Sequence, residues 1–167
     1  MQLCFLHGLE SGPHGRKYQA LTSMFGKVVS PDCEGIFNAR DRFPIIEREL
    51  DRSRSQTSDN NKYFVVGSSF GGLMAIMLNN KRPDMVGAMV LSAPAFNFPE
   101  TPEFDLVSLP PVKVIHGIHD QVVPIATSLP FGPDCIKVDD NHSLAQSIPT
   151  ILKTVFNMRL ELQYGVV

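Results

Sequence analysis

One stretch constrains this chain more than any other. Lys62-Tyr63-Phe64-Val65-Val66 is a run of β-branched and aromatic residues, the composition of a buried strand. It passes directly into Gly67-Ser68-Ser69-Phe70-Gly71-Gly72, then into the apolar, Met- and Ala-containing Leu73-Met74-Ala75-Ile76-Met77, which suits a buried helix. A strand that becomes a helix across Gly-x-Ser-x-Gly must reverse within a few residues. Such a turn strains its central residue and exposes that residue's hydroxyl at the carboxyl edge of the sheet. Ser69, not Ser68, is central. Gly67 and Gly71 stand two residues to either side, where a Cβ would meet the neighbouring strand or helix. The following helix points its free N–H groups and positive dipole end at the same spot. The stretch reads as a nucleophile elbow.

The rest of the chain repeats the alternation of strand and helix. Residues 3–6, 27–30, 85–91, 112–115 and 135–138 are short apolar runs and, with 62–66, predict six strands. Helices are expected at 16–25, with Tyr18, Leu21, Met24 and Phe25 at helical spacing, and at 41–54, capped by Asp41, with Ile45, Ile46 and Leu50 inward. A last helix is expected at 147–162, with Ile148, Ile151, Leu152, Val155 and Phe156 inward. Residues 52–61 read as a solvated connection and proline-rich 96–111 as irregular. The prediction is an α/β fold: one domain over residues 1–167, with a mostly parallel six-stranded sheet and helices on both faces.

Composition narrows the partners. With a net charge of −2 and a pI near 6.2, nothing favours nucleic acid or an anionic membrane surface. No apolar run approaches a membrane span, and no metal-binding motif appears. Of three cysteines, Cys4 and Cys135 lie in strand-like runs, as buried free thiols of a reducing compartment would. Met1 runs almost at once into a strand, with no signal-peptide pattern, so a cytoplasmic location is expected. The oligomeric state is left open.

A serine hydroxyl is a weak nucleophile unless an imidazole takes its proton and a carboxylate orients that imidazole. In an α/β sheet all three must come from carboxyl ends of strands. Asp120 follows the strand at 112–115, and His142 follows the last strand, giving the order Ser, Asp, His. Asp139 and Asp140 are rival acids, though close in sequence to the histidine they would have to orient. His119 is a rival base, but it adjoins Asp120 on a turn, where neighbours point apart. His7 reads as a lock for its own loop, and His116 as packed or exposed in the acid loop. An oxyanion hole needs two backbone donors: the N–H of Phe70 is one, and the loop His7-Gly8-Leu9-Glu10 supplies the other, from Leu9 with Glu10 as runner-up.

Leu6-His7-Gly8, Gly12-Pro13, Gly67-Ser68-Ser69-Phe70-Gly71-Gly72, Gly117-Ile118-His119-Asp120 and Asn141-His142 together resemble the α/β-hydrolase superfamily, most closely its compact bacterial serine esterases of the YqiA-like type. The resemblance implies hydrolysis of small-molecule carboxylic esters, or of acyl thioesters, through an acyl-enzyme and without a cofactor. A non-catalytic ligand-binding protein on the same scaffold is the alternative of another class. A dehalogenase would carry Asp in place of Ser69. Residues 96–104 are too few for a helical lid, so a shallow, open pocket floored by some of Phe96, Phe98 and Phe104 is expected, unless those rings plug the edge of the core. Arg16 and Lys17 could meet an anionic leaving group such as coenzyme A, or simply form a solvated helix face.

Overall fold

Each long strand is apolar on both sides, which is what a sheet covered by helices on both faces requires. The computed structural model describes residues 1–56 and 62–165. The strands are β1 (Gln2–Leu6), β2 (Val28–Val29), β3 (Tyr63–Ser68), β4 (Val86–Ser92), β5 (Val112–Gly117) and β6 (Cys135–Val138). The helices are α1 (Arg16–Phe25), α2 (Ala39–Ser55), α3 (Phe70–Lys81) and α4 (Ile148–Tyr164). The sheet order is β2-β1-β3-β4-β5-β6, and every pairing is parallel.

Alternation along the strands sorts the core into two layers. Cys4, Leu6, Tyr63, Val65, Met89 and Leu91 join the layer under α2 and α3. Leu3, Phe5, Phe64, Val66, Ala88 and Val90 join the layer under α1 and α4. The chain steps from β1 to β2 on one side, then crosses back to β3 on the other. That reversal leaves a crevice at the carboxyl ends of β1 and β3, where ligands bind in open α/β sheets.

Several local expectations shift. Asn38, not Asp41, caps α2: its side chain accepts from the Asp41 N–H at 2.8 Å and donates to the Asp41 carboxylate at 2.7 Å. The cap therefore lies three residues earlier, with Asp41 serving the first turn. α2 also runs on through Ser55, so the connection expected at 52–61 begins as helix, and residues 57–61 lie outside those described. On α4, Phe156 faces solvent while Thr154 and Met158 are buried; on α1, Met24 is exposed. All three cysteines, Cys4, Cys33 and Cys135, are free and buried. No helix among the described residues is long and apolar enough to cross a membrane.

Candidate active site

Ser69 sits between β3 and α3 with φ 53° and ψ −116°, in the left-handed half of backbone space, which non-glycine residues rarely adopt. Such a conformation costs about 1–3 kcal/mol and needs its surroundings to hold it. Three hydrogen bonds do so: Ser69 N–H donates to Ser92 O at 2.9 Å, and Ser69 O accepts from Gly72 and Ala95 at 2.8 and 3.0 Å. The flanking glycines are needed for close approach. A Cβ on Gly71 would overlap the Leu6 carbonyl, and one on Gly67 would lie 2.6 Å from Gly71 O. The Ser69 side chain makes no capping bond to its own helix and is left for another partner.

That partner is His142, whose Nε2 lies 2.9 Å from Ser69 Oγ. Its Nδ1 lies 2.7 Å from Asp120 Oδ2. The Asp120 side chain is fully buried, and its Oδ1 accepts from the Val122 and Val123 N–H groups, each at 2.8 Å. Burial pushes this carboxyl's pKa up, but the amides of Val123 and Val122 and the His142 ring more than offset it, leaving it below the ordinary carboxylate value. Because the Asp120 carboxylate accepts a hydrogen bond from Nδ1–H, Nε2 of neutral His142 faces the serine as an acceptor. Ser69, Asp120 and His142 thus come together from three strand ends.

The rivals are placed elsewhere. His119 is exposed and pairs with Asp139 at 2.8 Å. Asp140 is buried beneath the base loop, accepting from the N–H groups of Asn141, Gln146 and Ser147 and from the Ser147 hydroxyl. His116 is fully buried: Nε2 lies 3.0 Å from Val123 O and 3.1 Å from Asp120 Oδ2, and Nδ1 lies 2.7 Å from Ser128 Oγ. It therefore braces the acid loop, a stronger role than the packing or exposure expected of it.

On the β1 side, His7 locks its loop as expected. Its Nδ1 donates to Gly8 O at 2.8 Å and its Nε2 accepts from Cys33 N–H at 3.0 Å, the pattern of a neutral ring. Beside it lies Arg42, fully buried, which the sequence had given no reason to single out. Its guanidinium donates to the carbonyls of His7, Gly8 and Ile36 at 2.9, 3.1 and 2.7 Å. In a trans peptide the N–H points opposite to the C=O. With the Gly8 carbonyl drawn back to Arg42, the Leu9 N–H is turned the other way, and Leu9 lines the cavity beside Ser69. Among the described residues neither the Leu9 nor the Phe70 N–H has an internal partner. Glu10 also borders the cavity.

The cavity has a volume of about 570 Å³ and reaches Ser69 and His142. That is the size of an ordinary small-molecule site. Leu9, Phe98, Val122 and Ile148 form apolar wall, with Arg16 and Lys17 on the rim. Of Phe96, Phe98 and Phe104, some of which the sequence places on its floor, Phe98 lines it, its ring 5.3 Å from that of Phe70. Phe96 and Phe104 instead cluster with Phe131 and close the edge of the core. Among the described residues no group of three or more His, Cys, Asp or Glu is arranged to hold a metal ion.

Comparison with known proteins agrees with this architecture. A family model described as serine aminopeptidase, S33, matches residues 47–127. Est1E from Butyrivibrio proteoclasticus superposes with a TM-score of 0.75 at 17% identity, over 96% of this chain and 87% of that one. A putative hydrolase of the α/β superfamily from Xanthomonas campestris gives 0.75 at 23% identity, over 96% and 99%. Esterase PE8 gives 0.70 at 20% identity, over 95% and 91%. No curated protein sequence matches. The chain has the fold that these solved α/β hydrolases share.

Proposed function

We propose that this chain is a serine esterase of the compact YqiA-like kind, residues 1–167 forming one cytoplasmic catalytic domain that cleaves small carboxylic esters through an acyl-enzyme. The observation that carries the reading is the unbroken line from Ser69 Oγ to His142 Nε2 at 2.9 Å and from His142 Nδ1 to Asp120 at 2.7 Å. In this mechanism His142 takes the hydroxyl proton as Ser69 attacks the ester carbonyl, while Asp120 keeps the ring oriented and stabilises the imidazolium. The oxyanion is received by the N–H groups of Leu9 and Phe70, with the α3 dipole behind the second. His142 then protonates the departing alcohol and activates a water to release the acid. The cavity, about 570 Å³, suits a slender acyl group. Three free buried thiols fit the cytoplasm.

A fluorophosphonate probe is expected to label Ser69, and Ser69→Ala to lose the label together with p-nitrophenyl acetate turnover, by about 10⁶-fold in kcat. A wild-type chain that takes no label would leave only a ligand-binding role. Arg16 and Lys17 on the cavity rim favour a second reading, hydrolysis of acyl-CoA thioesters with the same machinery. Acyl-CoA, p-nitrophenyl esters and an aminoacyl p-nitroanilide, compared by kcat/KM, separate thioesterase, esterase and aminopeptidase.

A further inference from the structure

Arg42 poses a problem that the ester-cleaving machinery does not by itself explain. A buried guanidinium is ordinarily matched by a carboxylate, since an uncompensated charge away from water is costly. Here the side chain is 1% exposed, and its three hydrogen bonds all go to neutral backbone carbonyls. Among the described residues it has no ion pair. Its guanidinium carbon also stands 5.2 Å from the centre of the Phe70 ring. Burial lowers its pKa from the ordinary arginine value, as expected for a charge held where solvation is poor.

Both candidate oxyanion donors are therefore tied to this one cation. Gly8 O accepts from Arg42 and from His7, and the opposite end of that peptide is the Leu9 N–H. A cation on the carbonyl polarises the peptide and strengthens its N–H as a donor. Phe70, which supplies the other N–H, lies under the guanidinium through its ring. We propose that Arg42 is a positioning residue for the oxyanion site, a buried cation whose missing counter-charge is the negative oxygen that forms during ester cleavage. This rests on the esterase reading. Because that oxygen is charged in the transition state and neutral in the substrate, the interaction favours the former and acts on kcat in preference to KM.

Arg42→Met removes the charge at similar length, and Arg42→Lys keeps the charge but not the fork. Leu50→Ala on the same helix, at a fully buried site away from the loop, serves as a control for lost stability. Each folded variant is assayed with p-nitrophenyl acetate and for binding of a boronic acid that forms a tetrahedral anion on Ser69. Amide exchange is followed in residues 7–12. Arg42→Met is expected to lower kcat and boronate affinity about 100-fold with KM within a few-fold, and to speed exchange in that loop; Arg42→Lys recovers part of the loss. Leu50→Ala melts lower but keeps its kcat. Near-wild-type kcat and boronate affinity in Arg42→Met overturns the inference, as does an equal loss of kcat in Leu50→Ala. If Arg42→Met does not fold, Arg42→Lys decides it by the same split. A wild-type chain that binds no boronate and takes no probe overturns the esterase reading and with it the counter-charge inference, whereas a wild-type chain that does both, beside an Arg42→Met variant unchanged in kcat and exchange, overturns the inference alone.

Discussion

The loop after β1 and the loops after β5 and β6 meet at Ser69 from different strand ends, and they are held by opposite chemistry. Behind residues 7–12 stands a buried cation, and what it takes up is carbonyls: His7, Gly8 and Ile36. Beneath 117–123 and 139–147 stand two carboxylates, Asp120 and Asp140, and what they take up is mostly N–H groups, six in all counting the His142 ring. Each peptide has one donor and one acceptor, so a support that consumes one leaves the other free. The first loop is left with N–H groups facing the cavity, as an anion requires. The second region is left with an unprotonated ring nitrogen facing a hydroxyl, as proton transfer requires. The sign of the hidden support follows from what the surface must offer.

The sharpest way to break the second region is Asp120→Asn. The amide oxygen can still accept from Val122 and Val123, but the amide N–H₂ then faces His142 Nδ1 and forces the other tautomer, with Nε2 protonated toward Ser69. A fall in kcat of about 10⁴-fold is expected, with the fold intact by circular dichroism. Asp140→Asn should do less, because it touches only the support. One of its oxygens becomes a donor where donors already point at it, costing about 1–3 kcal/mol by urea unfolding and about tenfold in kcat as the loop carrying His142 loosens. Equal kcat losses for the two variants would mean that Asp140 is more than a brace.

The sequence made the elbow, the three converging residues and the strand count legible, because each depends on local pattern: Gly-x-Ser-x-Gly, apolar runs of strand length, and polar residues just past them. It did not reveal the supports. Arg42 lies in a helix that also carries Arg40, Arg48, Arg52 and Arg54, and no periodicity marks the one that turns inward to reach carbonyls more than thirty positions away. His116 gave a similar result, since a histidine at a strand end is equally compatible with packing and with bracing an acid. Phe96, Phe98 and Phe104 sit in a segment without helical or strand period, so which side each ring takes depends on tertiary contacts with Phe131 and Phe70. The cap of α2 was misplaced: Asp41 reads as a cap from sequence, but the cap is Asn38, three residues earlier, and Asp41 sits in the first turn.

Those phenylalanines sharpen the contrast within the oxyanion side. Phe98 touches both the cavity and Phe70, so Phe98→Ala removes cavity wall and one side of the donor's packing. An increase in KM for hexanoate esters of about tenfold is expected, larger than for acetate, with a small change in melting temperature. Phe104→Ala should lower stability by about 1–3 kcal/mol and leave KM alone, because its ring packs on Phe96 and Phe131. A chain-length-dependent KM in Phe104→Ala would put the second ring in the pocket after all.

Acidification sets the two supports against each other, with the smallest expected effect. Burial lowers the pKa of His7 below its usual 6.5, so the folded chain binds fewer protons there than the unfolded one. The stability it contributes is complete above 6.5 and declines as the pH falls from there through the folded pKa. Protonation would also turn Nε2 from the acceptor of the Cys33 N–H into a donor aimed at it. Asp120 and Asp140 are depressed from 3.8, so their contribution is intact above that value and is lost only below it. The loop at 7–12 should therefore begin to lose its amide protection, relative to unstructured peptide at the same pH, as the pH falls below about 6.5, while protection in 117–123 and 139–147 holds until the pH drops under about 4. His7→Gln, an uncharged ring substitute, should abolish the early phase and leave the late one. Simultaneous loosening of all three loops would mean that the cationic and carboxylate supports are one cooperative unit and not two.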